Sequence, residues 1–339
     1  MVKKADRQNL FYQSHGRLLS SQFELGELRS NWVCSTVASM ADLELCLRRI
    51  APCKLPVPCR SDWVARQRGG LSVACGAFGL FMASYCGSRA WLPDSPDTSS
   101  ALGESIDLLV ARGPSISTAR FNHTLLHSFI PQVLSLRGDL ILHATCVVID
   151  GKAFLFAGDS TLGKSTLAAG FALQGLDVFS DDIVRIEIGS DGTALAHRGY
   201  PGVRLRGNSF LLPPAQRSRR VGRYGLPKHR IYPLAQTLQA SPAPVAGVFF
   251  LARGRTVAPV AERLSPMQSM EPFLRASFLQ ALPKATRSRE AFGRATSLAA
   301  TIPAYRLSYR RSAQHFDALL ASLMAMMRAP VVVPESLGT

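Results

Sequence analysis

Residues 158–166 read Gly-Asp-Ser-Thr-Leu-Gly-Lys-Ser-Thr, and this run decides the fold. The spacing is that of a Walker A phosphate loop, whose glycines let the backbone curl until successive N–H groups face nucleotide phosphates. Lys164 adds a positive charge on those phosphates, and the Ser165 hydroxyl can bind Mg²⁺. The motif predicts ATP and Mg²⁺ as ligands, with the nucleotide held by Gly158, Asp159, Ser160, Thr161, Leu162, Gly163, Lys164, Ser165 and Thr166.

The flanking residues provide the strand and the helix that this motif requires. Residues 152–157 contain the apolar run Ala-Phe-Leu-Phe-Ala, which predicts a short buried strand. Residues 165–174 (STLAAGFALQ) predict a helix that stops at Gly175 and points its N-terminus at the phosphates. A strand, a phosphate loop and a helix in this order predict an α/β core.

Two adjacent carboxylates, Asp181 and Asp182, follow Ser165 at a short distance along the chain. The ten helical residues descend about 15 Å, and residues 176–180 then rise about 16 Å as a strand. The chain therefore returns to its starting level, at the carboxyl end of a neighbouring parallel strand, where open α/β sheets bind ligands. We expect the pair to lie beside the triphosphate, where carboxylates can bind Mg²⁺ or accept a hydroxyl proton; a surface turn that caps the next element is the alternative.

The charge of the chain is strongly basic and unevenly distributed. The net charge is +16 and the pI is about 10.1, yet residues 192–261 contain no Asp or Glu. Such a field attracts phosphates, acidic peptides, nucleic acid or anionic membranes, although a solvated basic loop would look the same. No nucleic-acid-binding module is legible, which disfavours nucleic acid as a partner. The basic residues of this stretch are Arg198, Arg204, Arg206, Arg217, Arg219, Arg220, Arg223, Lys228, Arg230, Arg253 and Arg255.

The cysteines and the apolar segments point to a cytoplasmic protein. Seven cysteines, without a CxxC pair and without an N-terminal signal peptide, favour reduced and buried thiols. Residues 69–88 carry no charge and are long enough to span a bilayer. Their five glycines and the alternation at Leu71, Val73 and Cys75 favour a β-hairpin instead. We therefore expect no membrane span.

Three regions are predicted along the 339 residues. Residues 1–120 form a smaller, strand-rich α+β domain, with strands within 18–28 and 71–92 and a helix over 37–50. Residues 121–265 form the nucleotide-binding core.

Within the core, residues 122–136 predict a helix kinked near Pro131. Residues 140–149 and 245–252 predict strands. Residues 266–339 form a C-terminal segment that packs on the core, with helices at 271–281, 289–302 and 313–328.

The run from His143 through the phosphate loop to Ser-Asp-Asp at 180–182 resembles HPr kinase/phosphorylase. More closely, it resembles the stand-alone HPr-kinase-like proteins, some of which phosphorylate a C-terminal serine of lasso-peptide precursors. Residues 199–206 (GYPGVRLR) match a Pro-x-x-Arg-Leu stretch of that group, and residues 12–28 are similar to its opening segment. The resemblance implies an α/β P-loop core with a mixed sheet.

The resemblance also implies roles for individual residues. Asp182 takes the place of the general base toward the substrate hydroxyl, and Asp181 lies near the metal with Ser165. His143 matches a histidine near the site, although a satisfied core histidine is an equal alternative. Arg204 or Arg206 would neutralise charge on the transferred phosphoryl group, a role inferred from position alone.

The chain departs from the family pattern at two positions. Thr161 stands where the family loop usually has Gly, which removes freedom to adopt positive φ. We therefore expect the loop to cradle phosphate only if Thr161 is right-handed. Thr166 stands where HPr kinases usually have Glu, and their later acidic segment is not found, so the phosphorylase activity is not carried over.

These residues predict a kinase that transfers the γ-phosphoryl group of ATP to a hydroxyl. A serine of a peptide or protein, such as a lasso-peptide precursor, is the expected acceptor. The alternatives are a kinase or carboxykinase-type enzyme acting on a small metabolite, a nucleotide-binding regulator without catalysis, and a nucleic-acid-dependent NTPase. The sequence leaves the oligomeric state open.

Overall fold

The computed structural model describes short segments up to residue 111 and longer segments from residue 117 onward. The described residues are 10–14, 17–21, 32–33, 43–49, 63–66, 71–76, 79–84, 89–92, 106–111, 117–136, 138–199, 202–206, 209–212, 229–233, 241–278 and 284–329.

The described strands before residue 112 form one nine-stranded sheet with the order β3-β1-β2-β4-β9-β8-β7-β6-β5. The strands are β1 (Leu10–Ser14), β2 (Arg17–Ser21), β3 (Trp32–Val33), β4 (Leu43–Arg49), β5 (Trp63–Arg66), β6 (Leu71–Gly76), β7 (Gly79–Ser84), β8 (Arg89–Leu92) and β9 (Ile106–Ala111). The predicted hairpin is confirmed, because β6 and β7 pair antiparallel with Leu71 opposite Ser84.

The helix predicted over residues 37–50 is wrong where the structure describes it. Residues 43–49 form the strand β4, which pairs in parallel with β2 and β9. Leu43, Leu45 and Leu47 alternate along this segment, and a period of two matches the two faces of a strand. Residues 37–42 lie outside the described part of the chain.

From residue 117 onward, the described residues contain six helices and one π-helical segment. They are α1 (Thr118–Thr124), the π-segment (Leu125–Phe129), α2 (Ile130–Leu136), α3 (Lys164–Leu173), α4 (Pro266–Ala276), α5 (Lys284–Thr301) and α6 (Phe316–Arg328). The helix predicted over residues 122–136 corresponds to α1, the π-segment and α2, and the π-segment ends two residues before Pro131. The predicted kink near Pro131 stays a prediction. None of the helices in the described part of the chain has the length and apolar character that a bilayer-spanning helix requires.

The second sheet is mixed, and β12 lies within it. Its strands are β10 (Leu140–Leu142), β11 (Ala144–Ile149), β12 (Lys152–Ala157), β13 (Asp177–Ser180), β14 (Val184–Ile188) and β15 (Ala194–His197). The second sheet is completed by β18 (Ala243–Arg253), β19 (Val260–Arg263) and β20 (Ala304–Tyr309). A separate two-stranded sheet consists of β16 (Gly202–Arg206) and β17 (His229–Pro233). The strand order of the second sheet is β10-β14-β15-β18-β12-β11-β13, with β20 paired to β18 and β19 paired to β20.

The acidic pair follows a strand that runs parallel to β12 but does not touch it. β11 pairs antiparallel with both β12 and β13, so β13 lies two positions away. The prediction of a directly neighbouring parallel strand is wrong in this respect, since the direct parallel neighbour is β18. The predicted level is confirmed, because Leu155, Cys146 and Ser180 share one row of the sheet.

Both faces of β12 are buried, so the strand that leads into the phosphate loop lies between two layers of the core. Phe154 and Phe156 face a layer that contains α3 and α6, whereas Ala153, Leu155 and Ala157 face the layer of α4 and α5. In the first layer Gly170 lets α3 and α6 approach closely, since a Cβ there would lie 2.6 Å from Phe316 Cε1. The free thiol of Cys146 is buried on the neighbouring strand.

The C-terminal segment contributes a strand as well as helices. The predicted helices at 271–281, 289–302 and 313–328 correspond to α4, α5 and α6 within the described residues. Between α5 and α6, β20 joins the second sheet beside β18. The sequence pattern did not predict this strand. The three-region division itself remains a prediction.

Candidate active site

The phosphate loop lies between the end of β12 and the start of α3. Gly163, with φ of 109°, precedes the helix directly. The Lys164 side chain is buried, and its Nζ donates to the carbonyl oxygens of Gly158 at 2.6 Å and Asp159 at 3.4 Å. Burial lowers the pKa of Lys164, and the nearby charges of Asp182 and Asp181 oppose that shift. The ammonium is therefore held inside the loop, at the N-terminal end of a helix, where anions bind.

Thr161 adopts a left-handed conformation with φ of 80°. The condition set for phosphate cradling, a right-handed Thr161, is therefore not met. Instead, this threonine itself takes the left-handed conformation that glycine usually supplies, so the loop has that conformation without a glycine. Two side chains contact the loop here. Tyr309 Oη donates to the Leu162 carbonyl at 3.0 Å, and Arg311 Nη1 donates to the Thr161 carbonyl.

Asp181 is buried and is held by hydrogen bonds with its neighbours. The Arg204 backbone N–H donates to its Oδ2 at 3.0 Å, and the Thr145 hydroxyl donates to its carbonyl oxygen at 2.7 Å. A hydrogen bond with the Ser165 side chain also favours the carboxylate form. Burial, followed by the charge of Asp182, nevertheless raises the pKa of Asp181 to about 7. The two predicted metal ligands, Asp181 and Ser165, are thus in contact.

Asp182 is partly exposed and lies between two histidines. His127 Nδ1 is 3.2 Å from its Oδ2, and His143 Nε2 is 3.4 Å from its Oδ1. Burial opposes ionisation of Asp182, but His143 and His127 together bring its pKa well below the ordinary value. Burial lowers the pKa of both histidines. A neutral histidine can donate to Asp182 when its proton is on the nitrogen that faces the carboxylate.

The two histidines come from irregular points of the backbone. His143 occupies the break between β10 and β11, where its backbone N–H donates to the Ala276 carbonyl at 2.7 Å. Its ring stacks on Phe278 with centroids 6.2 Å apart. The predicted single strand over 140–149 is therefore wrong at this residue, because residue 143 bonds to the end of α4 instead of continuing the ladder.

Sequence reasoning missed His127. It lies in the π-segment and is buried. The surrounding sequence, Asn-His-Thr-Leu-Leu-His-Ser-Phe at 122–129, contains two histidines and no motif that separates them. Only packing of this segment against the core brings the second histidine to Asp182.

The two candidate arginines differ in their positions. Arg204 is partly buried on β16, and its charge acts on Asp181, Asp182, His127 and His143. Arg206 is exposed at the end of the same strand. Another basic residue is structural: Arg198 forms an ion pair with Asp177 and lies 4.3 Å above the centre of the Phe179 ring. Residues 213–228 lie outside the described part of the chain.

The residues of the site fit a nucleotide with a magnesium ion. The loop carries a buried ammonium and the start of α3, which suit phosphates. Ser165 and Asp181 offer oxygen ligands, and Mg²⁺ commonly takes one or two carboxylates together with substrate phosphates. Within the described residues there is no cluster of three or more His, Cys, Asp or Glu side chains arranged for a metal. A site completed by the phosphates of a nucleotide needs no such cluster.

Comparison with known proteins adds little to this geometry. No family model and no curated protein matches the chain. Among solved structures, the chain is similar to the HPr(Ser) kinase/phosphatase from Coxiella burnetii, with 12% identity and a TM-score of 0.30. The similarity covers 55% of this chain and 88% of that one. This likeness is too low to assign an activity, so the functional conclusion rests on the site itself.

Proposed function

We propose that this protein is an ATP-dependent kinase that transfers the γ-phosphoryl group to a hydroxyl. The observation that carries the proposal is the position of Asp182. Asp182 follows β13, whose last residue lies in the same row of the sheet as Leu155 of β12. Its carboxylate lies between two histidines, within electrostatic range of the buried lysine of the loop. A phosphate loop facing an ionised carboxylate is the arrangement that phosphoryl transfer to a hydroxyl requires.

The phosphate end of the site, residues 158–166, binds the nucleotide phosphates and neutralises their charge. The loop N–H groups and Lys164 hold the phosphates, and Ser165 with Asp181 would hold Mg²⁺. The metal supplies positive charge to the phosphate oxygens when bound. Lys164 faces the charge that develops on the ADP leaving group as the bond to the γ-phosphorus breaks.

The acceptor end of the site, Asp182 with His127, His143 and Arg204 around it, orients the substrate hydroxyl, which is the nucleophile. Asp182 accepts a hydrogen bond from the substrate hydroxyl and takes its proton as the new oxygen–phosphorus bond forms. His127 and His143 favour the ionised form of Asp182, so the carboxylate is ready to accept at neutral pH. A low pKa makes a weak base, which suits phosphoryl transfer because positioning and charge stabilisation dominate that reaction.

The proposed acceptor is a serine of a peptide, with the C-terminal serine of a lasso-peptide precursor as the specific candidate. The support is the basic character of the surroundings: Arg204 lies within electrostatic range of Asp182, and Arg206 is exposed two residues further along. A peptide carboxylate close to the acceptor hydroxyl would be attracted to such a surface.

The test compares wild-type protein with Asp182→Asn. We expect the variant to lose at least about 1000-fold in kcat, since it can no longer take the proton, while its Kd for MgATP stays within about twofold. Mass spectrometry of reactions with a peptide ending in serine, with free serine and with a sugar identifies the acceptor class. Asp317→Asn, which removes an exposed carboxylate at the start of α6, is the control and should match the wild type.

Transfer by Asp182→Asn at the wild-type rate would show that Asp182 is not the base. Phosphorylation of the sugar or of free serine, but not of the peptide, would replace the peptide acceptor by a small metabolite. MgATP binding without phosphorylation of any acceptor and without ADP production would favour a regulator.

A further inference from the structure

The side chains of Tyr309, the last residue of β20, and of Arg311, two residues later, contact the phosphate loop. Tyr309 Oη donates to the carbonyl of Leu162 at 3.0 Å, across 147 residues of chain. Arg311 Nη1 donates to the carbonyl of Thr161, across 150 residues. The first carbonyl belongs to Leu162, which lies between the left-handed residues Thr161 and Gly163, and the second belongs to Thr161 itself. The phosphate loop is therefore attached to a strand that the local motif does not include.

Thr161 is the strained position of this loop. A φ of 80° places the backbone of this β-branched residue in a region that residues other than Gly, Asn and Asp rarely occupy. Such a conformation persists only where the surroundings impose it. The hydrogen bond from Arg311 to the Thr161 carbonyl is a contact that can impose it.

The contacts also orient the loop's N–H groups. In a trans peptide the carbonyl and the following N–H point in opposite directions. With the Leu162 carbonyl directed at Tyr309, the Gly163 N–H is directed away from Tyr309. With the Thr161 carbonyl directed at Arg311, the Leu162 N–H faces the loop interior, where it meets the Asp159 carbonyl at 3.3 Å.

The end of β20 is itself firmly held. β20 pairs in parallel with β18, which pairs in parallel with β12. The Gly254 N–H donates to the Tyr309 carbonyl at 2.9 Å, and the Arg310 N–H donates to the Thr256 carbonyl at 2.7 Å. The Tyr309 ring is buried, and burial raises the pKa of its hydroxyl to about 12, which keeps it a donor. The two side chains thus extend from a segment whose backbone is held by these hydrogen bonds.

We propose that Tyr309 and Arg311 are positioning residues that keep the phosphate loop, with Thr161 left-handed, in its nucleotide-binding conformation. The proposal rests on the proposed function only in that the loop binds nucleotide. Without the two contacts Thr161 relaxes toward a right-handed conformation, and the Leu162 and Gly163 N–H groups turn with it. Only a fraction of the molecules then binds, and the apparent Kd rises by the inverse of that fraction.

The experiment measures MgADP binding by titration calorimetry and the kinetics of transfer. Arg311→Met should weaken MgADP about tenfold and raise the KM for ATP, with kcat changed by less than about threefold. Tyr309→Phe removes only the hydroxyl and should give about a threefold loss. Arg310→Met is the matched control, because it removes an exposed arginine next in the chain, and it should leave MgADP binding within about twofold.

A second substitution separates positioning from simple attraction of phosphate by Arg311. Thr161→Gly removes the steric penalty of positive φ, so it should bind MgADP at least as tightly as the wild type. In the Thr161→Gly background, Arg311→Met should cost less than about twofold. If Arg311 acts only by its charge, Arg311→Met would weaken MgADP binding by the same factor in both backgrounds. That result would overturn the proposal.

Other outcomes also decide. Wild-type MgADP affinity in both Arg311→Met and Tyr309→Phe overturns the positioning role. A wild type that binds MgADP but transfers no phosphoryl group overturns the proposed kinase activity and leaves the positioning role to be decided by the binding data. A wild type that binds no nucleotide overturns both.

Discussion

The phosphate end and the acceptor end of the candidate site are built in opposite ways. The phosphate end is one continuous segment, residues 158–166, followed by the helix α3. The acceptor end is assembled around Asp182 from three other segments, which supply His127, His143 and Arg204. A short local motif suffices to bind phosphate because its donors are backbone groups. A carboxylate with a chosen protonation state needs neighbours that only the folded chain can provide.

The contrast is not complete, because the phosphate loop also depends on distant residues. Tyr309 at the end of β20 and Arg311 just after it contact the loop. The local motif therefore specifies which groups bind phosphate, and the sheet influences the conformation in which they do so. Three substitutions test this division between the two ends.

Of these three substitutions, the largest effect is expected for Lys164→Met, at the phosphate end. Lys164→Met should weaken MgATP binding about 100-fold, because charge-assisted hydrogen bonds to the phosphates are lost. The unfolding temperature should not fall, since the buried ammonium is destabilised by desolvation. Titration calorimetry and thermal unfolding measure the two quantities. Lys164→Arg is the comparison variant, and tight MgATP binding by Lys164→Met would mean that the phosphate end is not where the motif places it.

The second effect concerns Asp181 and has a defined pH dependence. Its pKa is raised from 3.8 to about 7, so the folded protein holds this proton more tightly than the unfolded chain. The resulting stability is present in full below about pH 4 and is lost as the pH rises through about 7. In metal-free buffer, Asp181→Asn should therefore be more stable than the wild type, by a margin about 2–3 kcal/mol larger at pH 8 than at pH 5.

Urea unfolding at the two pH values measures this margin. Asp317→Asn is again the control, and its difference from the wild type should be the same at both. Equal margins for Asp181→Asn would show that the buried carboxylate stays ionised throughout this range. Such a result would make Asp181 resemble Asp182 instead of contrasting with it.

The smallest effect is expected at His127. His127→Leu removes a donor to Asp182 and should lower kcat about tenfold, with the KM for ATP unchanged. His127→Asn places an amide N–H near the position of Nδ1 and should recover most of the activity. Steady-state kinetics with varied ATP distinguish the two parameters. A rise in the KM for ATP with normal kcat would instead assign His127 to the phosphate end.

Strongly patterned segments of the fold were predictable, and context-dependent ones were not. The hairpin of β6 and β7 and the run from β12 to α3 follow from alternation and from the motif. The strand β4 was mistaken for a helix, because a short apolar segment fits either period until its pairing partners are known. β20 escaped prediction because its parallel pairing with β18 joins residues far apart in the chain.

The sequence by itself determined the phosphate loop, its flanking strand and helix, and the return to Asp181 and Asp182 at the level of the loop. These features depend on residue spacing and on the fixed rise of helices and strands, which are local properties. The tertiary structure decided the interposed strand β11, the histidine pair on Asp182 and the left-handed Thr161 held by Arg311. Each of these depends on burial and on contacts between distant segments, and no local pattern contains that information.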